Sequence, residues 1–140
     1  LVDSLLKRVG FLKHMIEVLG LKGVRAIHAR AEDLGQDKNF RERYDYVVSR
    51  AVAKMPVLCE YCLPLVKVGG QFLAYKGPEG SAELSEAENA LQILGGELKE
   101  TFKGYLPNEG GERYIFVVRK SRPTPAKYPR KAGTAVKKPL

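Results

Sequence analysis

Apolar positions along the chain alternate between a helical period and a strand period, and the switches mark out the elements. Leu1-Val2-Asp3 reads as the close of a strand. Leu5, Val9, Leu12, Ile16 and Leu19 then recur at spacings of three and four, which predicts an amphipathic helix running to Leu19. Ser4 is its expected N-cap and Gly20 its left-handed end. A second strand is expected at Val24 to Ala29, followed by a polar turn, Arg30-Ala31-Glu32-Asp33. Asp45 to Ser49 reads as a third strand, and Tyr46-Val47-Val48 has the continuous apolar look of a buried one. Met55 to Val66 reads as a helix, with Pro56 in its first turn and Pro64 near its end. Gly69-Gly70 leads into a strand from Gln71 to Tyr75, and Ser81 to Leu94 forms an acidic helix stopped by Gly95-Gly96. Two further strands, about Glu97 to Leu106 and Arg113 to Arg119, flank a turn at Pro107 to Gly111.

Strands alternating with helices imply an α/β fold with a mostly parallel sheet covered on both faces. The last two strands, joined by a short Gly- and Asn-containing turn, form an antiparallel hairpin. A mostly parallel sheet finished by such a hairpin is the architecture of Rossmann-like class I methyltransferases. A nucleotide-binding fold of that kind carries a glycine-rich turn between its first strand and first helix, and no segment here supplies one. The first strand and its glycine-rich loop are therefore expected to precede Leu1, so the chain reads as a fragment.

Composition narrows the class. The 140 residues are 44% hydrophobic and 29% charged, enough for one soluble domain with a core. No apolar run reaches the roughly 18 residues of a membrane span, and no signal peptide opens the chain. Two cysteines exclude a disulfide scaffold and fit a cytoplasmic location. The net charge of +8 is unevenly distributed, for all 16 acids lie before Arg119 and are balanced there by Lys and Arg. The excess falls on Arg119, Lys120, Arg122, Lys127, Arg130, Lys131, Lys137 and Lys138. We therefore divide the chain into a domain, residues 1–120, and a basic tail, residues 121–140. Four prolines bias that tail towards extended backbone, and a polyanion is its natural partner, although a solubilising tail has the same composition.

Candidate chemistry gathers where strands end, since open α/β sheets bind ligands outside their strand carboxyl ends. Asp3, Ala31-Glu32-Asp33, Ser49-Arg50 and Lys76-Gly77 occupy such positions. Asp3 has the chemistry to accept hydrogen bonds from a ribose diol or to cap a helix. Glu32 has the chemistry to anchor a nucleoside or to solvate a loop. Arg50 needs an anion or water, and Asp33, Glu32 and Asp45 are its local alternatives to a ligand. Cys59 and Cys62 have CxxC spacing but sit within a helix without a second pair, and His14 and His28 are not spaced as co-ligands, so no metal site is expected. No catalytic base is identifiable.

The strings LVDSLLKRVGFLKHMIEVLGL, HARAEDLGQ, YDYVVSRAVAKMPVLCEYCLPLVKVGG and TPAKYPRKAGT, with KKPL at the end, closely resemble the bacterial RsmG family, formerly glucose-inhibited division protein B. The resemblance covers essentially the whole chain. It implies an S-adenosylmethionine-dependent enzyme that methylates N7 of a guanine in 16S ribosomal RNA, in the loop around the decoding-site pseudoknot. By the same resemblance, Ala31 and Glu32 match the contact to the adenosine part of the cofactor, Arg50 a further cofactor-site arginine, and Asp3 the acid that holds the ribose. Arg130, Lys131 and Gly133 match a basic C-terminal signature that meets ribosomal RNA, and Lys127 joins them on charge. The segment Gly133 to Lys137 departs from the commoner Gly-Thr-Pro-Asn form.

Within that fold the first strand lies between the strands ending at Asp3 and Ser49. Its absence should split the sheet and bare two edges, leaving the fragment inactive alone. The expected partner is 16S ribosomal RNA or the small ribosomal subunit, with no membrane, and a monomer is favoured. Guanine N7 carries its own lone pair, so the transfer would rest on placement without a general base. The rival readings are a nicotinamide-dependent Rossmann enzyme and a non-catalytic RNA-binding module.

Overall fold

A computed structural model describes residues 1–108 and 110–140, so Glu109, in the expected turn at Pro107 to Gly111, lies outside the described residues. The elements in chain order are β1 (Val2–Asp3), α1 (Leu6–Val18), β2 (Ile27–His28), α2 (Ala31–Gln36), β3 (Tyr44–Arg50) and α3 (Met55–Cys62). After a 3-10 turn (Leu63–Leu65) come β4 (Val66–Lys76), α4 (Gly80–Glu86), α5 (Glu88–Leu94), β5 (Gly96–Leu106), β6 (Gly111–Lys120) and α6 (Thr134–Lys137).

The strands form two sheets. β1 and β2 pair in parallel, Asp3 opposite His28. The larger sheet has the order β3-β4-β6-β5, with β3 parallel to β4 and the β5–β6 hairpin antiparallel. The α/β class and the terminal antiparallel hairpin are as expected, and the pairings among the described strands are two parallel and two antiparallel. No described strand lies between β1 and β3, so each leaves one edge unpaired. One expectation is corrected: Tyr46 and Val48, apolar enough to read as buried, are 63% and 58% exposed. Successive side chains of a strand alternate faces, and Tyr46 and Val48 share the face of β3 turned away from the core on which Val47 packs.

The core lies where α3, α5 and the 3-10 turn cover the larger sheet, around Met55, Leu58, Leu63, Phe72, Leu94 and Phe116. Continuous apolar sequence makes α3 buried almost all round. Pro64 ends it early, and Val66 already belongs to β4 rather than to the helix. Gly95 stops α5 in the left-handed conformation, at φ 82°, and a β-carbon there would collide with the Arg122 carbonyl oxygen. In α1 only Val9 is buried. Ser4 does not cap that helix; the Leu5 N–H instead donates to Asp3 Oδ1 at 2.8 Å.

The last 20 residues fold back on the domain, burying Tyr128 and Ala135 and ending in a one-turn helix. Proline-biased backbone offers its carbonyls freely, and the domain supplies donors. Arg41 donates to the carbonyls of Gly35, Thr124 and Tyr128 at 2.7 Å each. Gln36 donates to that of Pro129 at 2.8 Å. Lys120, fully buried, donates from Nζ to Leu63 O at 2.6 Å and to Thr124 Oγ1 at 2.7 Å, with Glu42 Oε1 at 3.2 Å. Burial lowers the Lys120 pKa and Glu42 opposes the change.

Candidate functional site

Ala31, Glu32 and Asp33 form the first turn of α2 rather than a bare polar turn. Three residues separate His28 from Glu32, so the carboxylate is presented just beyond the carboxyl end of β2. Glu32 is only 6% exposed, and its Oε1 accepts the N–H of Gly133 at 3.0 Å. Tyr61 on α3 faces the same carboxylate; its pKa is raised first by burial and then by the Glu32 charge. The Gly133 N–H is the kind of donor that a carboxylate so buried requires.

Asp3 closes β1. Its Oδ1 is taken by the Leu5 N–H, whereas Oδ2 has only a 3.5 Å contact to Arg8, which leaves it acceptor capacity for a ligand hydroxyl. Arg50 is the last residue of β3, is exposed, and forms no ion pair among the described residues. Two of its three local alternatives are engaged elsewhere: Asp45 pairs with Lys67, which lowers its pKa, and Glu32 accepts from the tail. The Ser49 hydroxyl beside it is buried without a hydrogen bond.

Lys76, at the carboxyl end of β4, has a structural task. Its Nζ lies 2.5 Å from Glu83 and donates to Ala53 O at 2.9 Å, while Glu83 accepts the Met55 N–H at 2.8 Å and so caps α3. Burial pushes the Cys62 thiol up to about 12 and raises Cys59 further, keeping both protonated in the core. Among the described residues no cluster of His, Cys, Asp and Glu could hold a metal ion. No helix among them is long and apolar enough to cross a membrane.

The tail brings the basic residues to α2. A groove of about 510 Å³ runs between them, lined by Glu32, Asp33, Gln36, Lys127, Arg130 and Lys131. Glu32 and the three basic residues are thus neighbours, while Asp3 and Arg50 do not line this groove. Lys131 is exposed, and Lys127 is exposed with Nζ 5.3 Å from the Tyr128 ring centre. Arg130 differs. Its Nη2 donates to Glu60 Oε2 at 2.6 Å and its Nε to Oε1 at 2.9 Å, and its own N–H donates to Oε1 at 2.8 Å. This fork raises the Arg130 pKa.

Sequence reasoning missed Glu60, Arg41 and Gln36. Glu60 left a signal: it is the one charge in the apolar run Met55 to Leu65, and a carboxylate on a helix buried all round must find a cation. Arg41 and Gln36 left none, because ordinary polar residues after a helix do not reveal which distant carbonyls they meet.

The family described as GidB, rRNA small subunit methyltransferase G, matches residues 1–108. Among curated proteins, the ribosomal RNA small subunit methyltransferase G of Exiguobacterium sibiricum is 55% identical over all 140 residues, and that of Lactobacillus acidophilus is 53% identical. The chain spans 59% and 58% of their lengths, respectively. Among solved structures, an rRNA methylase from Streptococcus thermophilus matches 86% of this chain and 72% of its own, with TM-score 0.61 and 16% identity. M. jannaschii TYW2 in complex with AdoMet matches 84% of this chain and 54% of its own, with TM-score 0.58 and 16% identity. At such identity these structures speak for the fold alone.

Proposed function

The chain belongs to the rRNA small subunit methyltransferase G family, and on that premise we propose that it is part of an S-adenosylmethionine-dependent enzyme that methylates N7 of a guanine in 16S ribosomal RNA. The observation that carries the reading is the placement of Asp3, Glu32 and Arg50. Each stands at or just past the carboxyl end of a parallel strand in a methyltransferase-type fold.

These residues fit the nucleoside half of such a cofactor. Asp3 Oδ2 is available to a ribose hydroxyl. Glu32 is held by the Gly133 N–H from the tail, and Ala31 beside it offers backbone and a small side chain to an adenine ring. Arg50 is an exposed cation without an ion-pair partner among the described residues. S-adenosylmethionine, when bound, supplies a methyl group on a sulfonium, an electrophile with its own leaving group. The residues of this chain bind and orient; none has to remove a proton, because guanine N7 is unprotonated near neutrality. Rate then depends on holding N7 about 3–3.5 Å from the methyl carbon and in line with the breaking bond. Lys127 and Lys131 offer phosphate contacts, and the edge of guanine that bears N7 is open in looped RNA.

The test is methyl transfer from labelled S-adenosylmethionine to small-subunit RNA or to the assembled subunit, by this chain supplied at the length of its curated relatives. Product nucleosides are then identified by mass spectrometry. We expect 7-methylguanosine, and transfer to another atom or base overturns the reading.

A further inference from the structure

We propose that Arg130 is a positioning residue for the cofactor-facing edge, and not a phosphate contact, acting through Glu60 and the turn at 130–133 on the carboxylate of Glu32. This rests on the reading above that Glu32 meets the nucleoside. A basic tail residue facing a groove invites assignment to RNA, yet the Arg130 guanidinium is already committed. It is forked on Glu60, a carboxylate only 1% exposed, and its Nη2 also donates to Lys138 O at 2.8 Å. A phosphate would have to draw it from a buried anion that would then be left without a partner, a costly exchange. Lys131 makes no ion pair among the described residues and is exposed, so it is the member of the pair available to phosphate.

What Arg130 holds is the segment that holds Glu32. Its side chain and its own N–H both end on Glu60, and its reach to Lys138 closes the far end of α6. Inside that loop, Gly133 stands in the left-handed conformation at φ 81° and turns its N–H onto Glu32 Oε1 at 3.0 Å. α2 is six residues long, too short to hold a side chain by its own helical stability. The position of Glu32 is set from outside, by the Gly133 N–H in the tail.

The test compares S-adenosylmethionine affinity by calorimetry with the salt dependence of RNA binding, using the chain at the length of its relatives. Circular dichroism and urea titration identify the temperature at which every variant is folded. Arg130→Lys keeps the charge and loses the fork, so we expect cofactor Kd to rise about tenfold with the RNA salt slope unchanged. Glu60→Gln should raise cofactor Kd likewise, although Glu60 reaches neither ligand. Lys131→Ala should leave cofactor Kd unchanged and reduce the salt slope by about one. In a Glu32→Ala background, Glu60→Gln should add nothing to the loss, whereas a merely structural role predicts additive losses and would overturn the proposal. If Glu32→Ala weakens cofactor binding while Arg130→Lys and Glu60→Gln bind as the parent does, the coupling alone is overturned. If Glu32→Ala itself binds the cofactor normally, the nucleoside reading falls and the coupling with it.

Discussion

Gly35 in α2 and Pro129 in the tail are in such close contact that a β-carbon on Gly35 would lie 2.6 Å from Pro129 Cγ and 2.8 Å from its Cδ. Pro64 closes the same space at 3.2 Å. The tail is therefore seated on α2 by shape as well as by hydrogen bonds, and α2 is the helix that opens with Glu32.

Gly35→Ala should consequently destabilise the fold although it adds a good helix former. Overpacking at a rigid contact costs about 1–3 kcal/mol, more than the gain in helix propensity. Gly10→Ala is the contrast, because nothing lies within 4 Å of a β-carbon there and α1 is a regular helix. It should stabilise by about 0.5–1 kcal/mol. Urea midpoints of the two variants moving in the same direction would contradict this.

Lys120→Met should be among the more damaging single changes away from the apolar core. It removes the Nζ that serves Leu63 O and Thr124 Oγ1 and leaves the Glu42 carboxylate without its cation. Breaking such a pair from one side costs about 3 kcal/mol, the low end of the usual range because Glu42 keeps some access to water. Equilibrium denaturation reads the loss directly.

Glu112 gives an acid limb that can be followed at one residue. Lys103 first, then the hydroxyls of Tyr114 and Tyr105, hold its pKa down at about 2. The distances are 2.7 Å to Lys103, 2.6 Å to Tyr114 and 2.7 Å to Tyr105. A depressed carboxylate contributes stability above its unfolded value and loses it as pH falls through the folded one. The β5–β6 hairpin should thus keep this cluster from neutrality to below pH 4.5 and lose it near pH 2. The Glu112 carboxyl carbon resonance should still report an ionised group at about pH 3.5, where an ordinary glutamate is mostly protonated.

Arg50→Ala separates a ligand contact from a structural one. The side chain is exposed and has no ion pair among the described residues, so its removal should change stability by less than about 0.5 kcal/mol. Cofactor affinity should nevertheless fall about tenfold with loss of one charge-assisted hydrogen bond. An unchanged dissociation constant would remove Arg50 from the site.

Periodicity and punctuation carry most of the element order. Gly95 ends a helix because only a glycine takes that backbone so near Arg122, and the hairpin from Gly96 to Lys120 follows its strand pattern closely. The errors are instructive. Val24 to Ala29 contracts to a two-residue strand, and Ser81 to Leu94 is two helices that meet at Ala87. Tyr46 and Val48 are exposed because hydrophobicity records suitability for burial, not whether anything covers the sheet face they share.

The amino-acid sequence by itself determined the α/β order, the family and the concentration of charge after residue 118, since these depend on local spacing and on motif strings. Only the tertiary structure decided which partners the tail charges meet within the chain. Arg130 and Lys131 are adjacent and chemically alike on paper, yet one is forked on a buried carboxylate and the other faces water. The physical reason is that a cation's role is set by the nearest uncompensated anion, and Glu60 is brought to Arg130 by chain folding rather than by sequence proximity.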